Sequence, residues 1–351
     1  LLESVKSNKK FLYSAFYGFT NENAMDFFKK EGLKLKVERG NRVFPLSDRS
    51  ADVLDTLRGS MKQAGVRGHL NTEVKKVLKN DTGFILQLAD GTKDMADKVI
   101  VATGGISYES TGSTGDGYRF AEEFGLKVTE CCPSLVPFNV REDWVKELQG
   151  LSLKNVSILI KDGKKKLFSD FGEMMFTHFG VTGPLILTAS SVCARKIREK
   201  EVKLYLDLKP ALTKEQLDAR ILREFDANAN KQFRNVLPSF LPSKLVSVMY
   251  ELCGIAPEKR IHDITKEERE RFLSCLKELE LTVTGLRGYN EAIITKGGVS
   301  VKEIDPSTME SKTVPGLYFI GEVLDLDAVT GGFNLQIAWS TAVAAANAAT
   351  E

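Results

Sequence analysis

The sequence predicts an α/β fold, and two apolar strands that end in glycine are the main evidence for it. Residues 317–320 form a short apolar run after a Pro-Gly turn, and this run ends at Gly321. Residues 99–102 form a second, β-branched run that leads directly into Thr103-Gly104-Gly105. Ligands bind at the carboxyl ends of strands in open α/β sheets, so the two glycine ends should meet at one crevice if both strands belong to one sheet.

A glycine pair followed by a helix is the third observation. Gly331-Gly332 precede a predicted helix over residues 334–349, and a loop with three carboxylates precedes the pair. The free N–H groups at a helix start attract anions. The stretch is interpreted either as a cofactor turn or as a glycine loop that only positions the C-terminal helix.

Composition and charge place the chain among large globular proteins. Its 351 residues, 42% of them hydrophobic, are enough for two or three domains with their own cores. The net charge of +2, from 49 basic and 47 acidic residues, excludes a global attraction to nucleic acid or anionic membranes but leaves room for a local patch. Charge alone therefore does not set the class of partner.

The cysteines and the hydropathy pattern bear on the compartment. The five cysteines form no CxxC motif, and their odd number favours reduced thiols over a disulfide framework. No uninterrupted apolar run reaches transmembrane length, and no signal-peptide pattern opens the sequence. We expect a cytoplasmic protein with no membrane partner and no metal site.

The first third of the chain begins with helices rather than with a nucleotide-binding strand. Helices are predicted over residues 21–32 and 50–65, and no GxGxxG motif occurs anywhere. A strand-like run between them, from residue 33, ends at Pro45. Arg42 in that run is interpreted either as an anion contact or as a solvated structural residue.

A β-meander is predicted next. Its strands cover residues 66–77, 84–88 and 98–102, and Asp-Thr-Gly and Asp-Gly turns join them. A glycine-rich segment at residues 111–117 then opens a helix over 118–124. That segment either approaches a cofactor or forms a tight connection.

A change of composition at residues 130–133 marks a predicted domain boundary. Beyond it, His178 lies among aromatic residues and glycines, and it is interpreted either as a proton donor and ligand neighbour or as a hydrogen-bonded structural histidine. The other predicted elements are a hairpin (156–160 and 165–168), a strand (202–208), four helices (213–225, 230–237, 242–253 and 265–279) and two return strands (281–284 and 292–295). The lysines around the hairpin turn, at positions 161 and 164–166, are interpreted as solvated rather than as a nucleic-acid site.

Seven motifs in order carry a family resemblance that spans nearly the whole chain. They are NRVFP at 41–45, VIVATGG at 99–105, TGDGYRFAEEFG at 114–125, PSLVPF at 133–138, FTHFGVTGPLIL at 176–187, KGGVSVKEIDPSTMESK at 296–312 and GLYFIGEVLDLDAVTGGFNLQIAWSTA at 316–342. Together they resemble the bacterial FAD-dependent oxidoreductases of the aminoacetone-oxidase-like or bile-acid-reductase-like kind.

The resemblance implies a glutathione-reductase-type FAD-binding domain with an insertion. That domain would comprise residues 1–130 and 301–351. A β-barrel-like domain would interrupt it at 131–210 and 281–300, and a small helical subdomain at 211–280 would in turn interrupt the barrel. Members of the family begin with a βαβ unit that bears GxGxxG, so the FAD-binding domain is expected to be N-terminally incomplete here and to retain FAD weakly or not at all.

The same resemblance implies the site residues. The flavin-side contacts would be Gly321, Glu322, Asp327, Gly331, Gly332, Phe333, Asn334, Leu335 and Gln336. The adenine-side and pyrophosphate-side contacts would be Val74, Thr103, Gly104 and Gly105. Substrate contacts are expected from His178, Arg42 and Tyr108.

The implied activity is hydride transfer through flavin N5 to or from a small or polycyclic organic substrate, such as reduction of an activated C=C bond. No second GxGxxG is present, so electrons would come from transient NAD(P)H binding or from another donor. We expect a small-molecule substrate and no nucleic acid partner. The alternatives are a flavoprotein that modifies RNA, which requires a basic groove, and a non-catalytic remnant whose barrel and helical domains bind a partner.

Overall fold

The computed structural model describes residues 1–351 and divides them into two compact units. The first unit comprises Leu1–Cys132 and Ile294–Glu351, and the second comprises Pro133–Ile293. None of the helices combines the length and the apolar composition that crossing a bilayer requires.

The regular elements are numbered in chain order. The α-helices are α1 (Tyr13–Gly18), α2 (Asn21–Lys30), α3 (Ser50–Gln63), α4 (Asp116–Glu123), α5 (Pro184–Glu199), α6 (Lys214–Ala227), α7 (Phe233–Val236), α8 (Ser243–Cys253), α9 (Lys266–Lys277) and α10 (Phe333–Thr350). The strands are β1 (Leu35–Glu38), β2 (Arg42–Pro45), β3 (Val74–Lys79), β4 (Phe84–Leu88), β5 (Lys93–Ala96), β6 (Val99–Val101), β7 (Val128–Ser134), β8 (Phe138–Val140), β9 (Ser152–Asp162), β10 (Lys165–Phe176), β11 (Gly180–Thr182), β12 (Val202–Asp207), β13 (Leu279–Leu286), β14 (Ile294–Val299) and β15 (Leu317–Phe319).

The two glycine-terminated strands of the first unit lie side by side. β15 pairs with β6 in parallel, and Phe319 stands opposite Val101. The N–H of Ile320 continues the pairing by donating to the carbonyl oxygen of Val101 at 3.1 Å. The strands therefore belong to one sheet, and their glycine ends leave it at the same edge, as the sequence predicts.

The predicted meander is wrong in its last strand. A three-stranded antiparallel sheet does form, but its members are β3, β4 and β5, and residues 99–101 belong to the other sheet. Residues 66–73 are not part of a strand. The apolar β6 is partly covered by its parallel partner, whereas β5 is a largely exposed edge strand whose polar residues give no apolar pattern.

The second unit contains a closed six-stranded barrel in the order β10-β11-β8-β13-β12-β9. The predicted barrel is thereby confirmed. Side chains of alternate residues fill its interior, as the burial of Val202, Leu204 and Leu206 along β12 shows. α5 begins at Pro184, at the first helical position where proline is best tolerated, and buries its apolar face.

Helices α6 to α9 form a small cluster beside the barrel strands within this unit. Thr213 and Thr265 cap α6 and α9, and each hydroxyl accepts a hydrogen bond of 3.2 Å from the N–H three residues later. Phe225, Phe233 and Phe272 make mutual ring contacts at the centre of the cluster. These caps and apolar positions are the features that identify the helices in the sequence.

The predicted return of residues 292–300 to the barrel is wrong. β14 pairs with β7 in a separate two-stranded sheet and lies wholly in the first unit, so β13 is the only return strand of the barrel. Close backbone approach explains this pairing. A Cβ at Gly297 would lie 2.3 Å from the carbonyl oxygen of Glu130, and the N–H and carbonyl of Gly298 both bond to Thr129 Oγ1 at 3.1 Å.

Candidate functional site

The crevice at the carboxyl ends of β6 and β15 is built by glycine packing. A Cβ at Gly105 would lie 2.3 Å from Thr295 Oγ1 and 2.7 Å from Glu322 Oε1, so only glycine fits there. The N–H of Thr295 donates to Glu322 Oε1 at 2.8 Å. Thr295 thus lies between the turns at 103–105 and 321–323 and contacts both.

Thr295 extends this contact into a small buried network. Its hydroxyl oxygen accepts from the N–H of Ile106 at 2.9 Å and lies 3.0 Å from Ser107 Oγ. Burial raises the pKa of the Glu322 carboxyl, and the hydrogen bonds from Thr295 oppose that rise only in part. The sequence does not predict Thr295 and Ser107 as site residues, because nothing in a lone hydroxyl residue at a strand end indicates such a partner.

Asp327, a predicted flavin-side residue, forms an ion pair and a backbone hydrogen bond with other residues of the chain. The side chain is fully buried, and its carboxylate lies 3.1 Å from the ammonium of Lys296, which also donates to Ser7 Oγ at 3.0 Å. The carbonyl oxygen of Asp327 accepts from the N–H of Lys6 at 2.7 Å. The carboxylate therefore fixes the loop, and Lys296, like Thr295 and Ser107, is a site residue that the sequence does not predict.

A cavity of about 410 Å³ opens beside the start of α10. The predicted residues Gly331, Gly332, Phe333, Leu335 and Gln336 line it. Its other lining residues are Leu1, Asn21, Ala24, Met25, Phe28, Leu33, Leu35, Gly40, Asn41, Val43, Phe44, Pro45, Val53 and Trp339. Most of the lining side chains are apolar or aromatic, and the amides of Asn21, Asn41 and Gln336 add polar groups, a combination that small-molecule sites use.

The glycine turn presents the helix start to this cavity. Gly332 is the N-cap of α10 with a left-handed φ of +88°, and no atom lies within 4 Å of a Cβ placed there. The first helical N–H with an acceptor is that of Gln336, which donates to the carbonyl oxygen of Gly332 at 3.0 Å, so earlier amides of the turn stay available. Asn334 does not line the cavity. Its amide group instead bonds to the N–H and carbonyl of Ala328, both at 2.9 Å, and closes the loop.

Val74 and Thr103 line a second cavity of about 660 Å³ together with Gly112, Thr114 and Asp116. Thr103 Oγ1 is buried and has no hydrogen-bond partner. Burial alone would raise the pKa of Asp116, but hydrogen bonds from Arg119 and Thr114 outweigh it and lower that pKa, so this carboxylate stays ionised. Of the four residues predicted for the adenine and pyrophosphate sides, Val74 and Thr103 thus share one cavity, distinct from the cavity at α10, whereas Gly104 and Gly105 do not line it.

The three predicted substrate contacts lie on different elements of the chain. Arg42 is exposed on β2 with its guanidinium 5.6 Å from the ring centre of Phe44, and its neighbours in the strand line the α10 cavity. Tyr108 is exposed and has a left-handed φ of +54° in the turn after β6. His178 is exposed in the second unit and packs edge-on against Phe179.

Comparison with known protein families gives one match that spans nearly the whole chain. The model of the HI0933-like protein Rossmann domain matches residues 1–348. The chain belongs to the HI0933-like Rossmann-domain family. This match covers both compact units, and it confirms the resemblance inferred from the seven motifs at the level of an FAD-dependent, oxidoreductase-like family.

Proteins of two differently named kinds are similar to this chain. The ribosomal RNA dihydrouridine synthase of Escherichia coli K12 is 32% identical over 342 residues, which is 97% of this chain and 82% of that protein. The Haemophilus influenzae protein of the same name is 32% identical over 348 residues, or 97% of this chain and 83% of its own length. The 3-dehydro-bile acid delta(4,6)-reductase of Clostridium scindens is 31% identical over 329 residues, or 93% and 80%.

Proposed function

We propose that this protein is an FAD-dependent reductase that transfers hydride through flavin N5 to an activated C=C bond. The observation that carries the proposal is the glycine turn at Gly331-Gly332, which presents helix-start amides to an aromatic-walled cavity. The names of the relatives support the reaction class, because a dihydrouridine synthase and a delta(4,6)-reductase both saturate carbon–carbon double bonds. Bound flavin supplies the hydride, and the protein positions it and tunes its chemistry.

The residues present fit an FAD molecule. Amides at the N-terminus of an 18-residue helix favour the negative charge of a reduced flavin pyrimidine. In the second cavity, Thr103 Oγ1 is a buried hydroxyl that lacks a partner, and Val74 offers an apolar contact, which suits the nucleotide half of the cofactor. We propose a glutathione-reductase-type arrangement in which Gly104, Gly105, Gly321 and Glu322 line the passage between the two halves.

Side chains of the α10 cavity would hold the substrate. Val43, Phe44 and Trp339 would offer apolar contacts to the substrate, and the amides of Asn21 and Asn41 can donate to the carbonyl group conjugated with the double bond. Donors placed at the carbonyl oxygen stabilise the negative charge that develops there when hydride adds to the alkene carbon farther from the carbonyl group. Arg42, Tyr108 and His178 remain proposals for outer substrate contacts, and NAD(P)H remains the proposed electron source.

A substrate panel tests this function. Protein loaded with FAD is mixed with NADH or NADPH and a 3-oxo-Δ4 steroid, and the oxidation of the nicotinamide is followed by its absorbance. The matched control is the saturated 3-oxo steroid, which has no double bond to accept hydride. Oxidation that requires both FAD and the unsaturated compound is expected. Absence of oxidation with every conjugated substrate, RNA uridine included, contradicts the proposal.

A second candidate substrate is a uracil base in RNA. The first 80 residues carry sixteen lysines and arginines against nine aspartates and glutamates, a net charge of +7, whereas the whole chain has +2. Such a local excess attracts a polyanion even though the global charge does not. Mass spectrometry of RNA incubated with the FAD-loaded protein and NADPH would reveal a gain of two hydrogen atoms per reduced uridine.

A further inference from the structure

We propose that the β1–β2 hairpin is the surface that holds single-stranded RNA next to the α10 cavity. This inference rests on the RNA form of the proposed function. It assigns the contact with the polyanion to one small, exposed element, and it gives that element two tasks. Cations on and beside the hairpin would bind phosphates, and an aromatic side chain at the cavity rim would stack on a base.

The register of the hairpin places its charged side chains on one face and most of its cavity-lining side chains on the other. Glu38 stands opposite Arg42, Lys36 opposite Phe44 and Leu35 opposite Pro45. Cross-strand partners project to the same side of a sheet, so Lys36, Arg42 and Phe44 share the outer face. Leu35, Val43 and Pro45 project to the other side, where they line the cavity.

Phe44 connects the two faces. Phe44 lines the cavity and is still 36% exposed as a residue, and the Arg42 guanidinium lies over its ring at 5.6 Å from the ring centre. An exposed ring with an arginine beside it is the arrangement on which nucleobases stack in single-strand binding sites. A base stacked there would lie at the mouth of the cavity, within reach of the amide of Asn41, which lines that cavity.

The cationic side chains on and near the hairpin differ in whether an acidic side chain already neutralises them. Lys36 is neutralised by Asp48 at 2.7 Å and Glu38 at 3.1 Å, so it has little charge to offer. Lys30, Lys34 and Arg39 are exposed and form no ion pair. These three precede or occupy the hairpin in sequence and form, with Arg42, the cationic set available to phosphates.

RNA fits this surface better than a lipid surface or an acidic peptide does. The unpaired cations suit any anion, but the stacking ring and the asparagine-bearing cavity beside it suit a planar base with hydrogen-bonding edges. Glu38 and Asp48 on the same face also limit the charge density that a membrane surface would require.

Charge reversal with a matched control tests the assignment. The test variant is Lys30→Glu/Lys34→Glu/Arg39→Glu, and the control is Lys164→Glu/Lys165→Glu/Lys166→Glu, three exposed lysines at and after the β9–β10 turn. Binding of a fluorescently labelled, uridine-rich single-stranded RNA is measured by anisotropy at several salt concentrations. Both variants change the net charge equally, so only the position of the charges differs.

The expected magnitude follows from counterion release. Each phosphate contact to a single strand contributes about 0.7 to the slope of log affinity against log salt, so loss of three contacts lowers the slope by about 2 and the affinity at about 0.1 M salt by about 100-fold. The control should keep wild-type affinity and slope. Equal losses in both variants, or stronger capture of phosphatidylserine vesicles than of RNA through the same three residues, would overturn the proposal.

A milder set of variants and a parallel steroid assay distinguish failure of this inference from misfolding and from failure of the proposed function. If charge reversal disturbs folding, Lys30→Gln/Lys34→Gln/Arg39→Gln removes the same charges more mildly, and a slope that remains at the wild-type value then counts against the hairpin. Reduction of the free steroid by wild-type protein, which needs no RNA, is measured in parallel. Steroid reduction without hairpin-dependent RNA binding refutes this inference alone, whereas hairpin-dependent binding without reduction of any substrate refutes the proposed function.

Discussion

The buried ion pair between Lys296 and Asp327 gives the sharpest stability prediction. The Lys296 side chain is 11% exposed and the Asp327 side chain 0% exposed, with 3.1 Å between ammonium and carboxylate. Lys296→Met removes the cation and leaves the carboxylate buried without its counter-charge. Breaking such a pair from one side costs about 3–5 kcal/mol, and we expect the free energy of unfolding of the first unit to fall by that amount.

A double variant separates the loss of the pair from the loss of packing. Lys296→Met/Asp327→Leu removes both charges and fills the space with apolar side chains, so it should recover most of the lost stability, since such replacements are often neutral. The assay is denaturant unfolding followed by tryptophan fluorescence. The chain has two tryptophans, Trp144 in the second unit and Trp339 in the first, so a Trp144→Phe background reports the first unit alone.

Two results would refute this reasoning. A loss of less than about 1 kcal/mol in the single variant would mean that the Asp327 carboxylate finds water or another donor when the ammonium is absent. A double variant as unstable as the single one would mean that the stabilisation comes from the shape of the loop around Ser7 rather than from the charges.

Three further predictions concern the crevice and the thiols. Gly105→Ala should destabilise the first unit by about 1–3 kcal/mol in the same assay and weaken FAD binding, because the new Cβ would overlap Thr295 Oγ1; an unchanged midpoint would show that the crevice is looser than described. Burial raises the pKa of Glu322 above its ordinary value of 4.5, so the stabilisation from its proton is complete below pH 4.5 and is lost as the pH rises through the native pKa. The stability of wild type relative to Glu322→Gln should therefore decline over that interval, and a pH-independent difference would argue against a buried carboxyl. Burial raises the pKa of Cys131 to about 11 and that of Cys193 to about 12, so native protein should react slowly with a disulfide-exchange reagent at neutral pH and rapidly once unfolded; fast native labelling of either residue would disagree.

Much of the fold could be predicted where local chemistry and final contacts agree. The β-branched run of β6 and its glycine end identify a strand that leads into the crevice, although only Val101 of that strand is buried, and Thr213 and Thr265 mark helix starts through their capping side chains. The errors lie where remote segments decide the outcome. β14 lies outside the barrel because Gly297 and Gly298 fit against β7, about 170 residues earlier in the chain. No local sequence pattern predicts this long-range pairing.

In the candidate site, too, the locally determined features could be predicted and those that depend on remote contacts could not. The turn at Gly331-Gly332 could be predicted because a glycine pair before a helix has a direct physical meaning. Lys296 and Thr295 could not, because each acquires its role only when folding brings it to Asp327 or Glu322, and an isolated lysine or threonine in a strand is usually a solvated residue.

The measurement that most directly tests the central claim is a titration of the purified, flavin-free protein with FAD. The quenching of flavin fluorescence would be followed in wild type and in Gly332→Val. The variant places a branched side chain at a left-handed residue that opens on the cavity, where it would strain the turn and obstruct the helix-start amides. We expect saturable binding to wild type and a loss of at least about tenfold in affinity in the variant, which corresponds to one helix-terminus contact of about 1.4 kcal/mol. No saturable binding to wild type, or equal binding to both proteins, would contradict the claim that this turn is the flavin site.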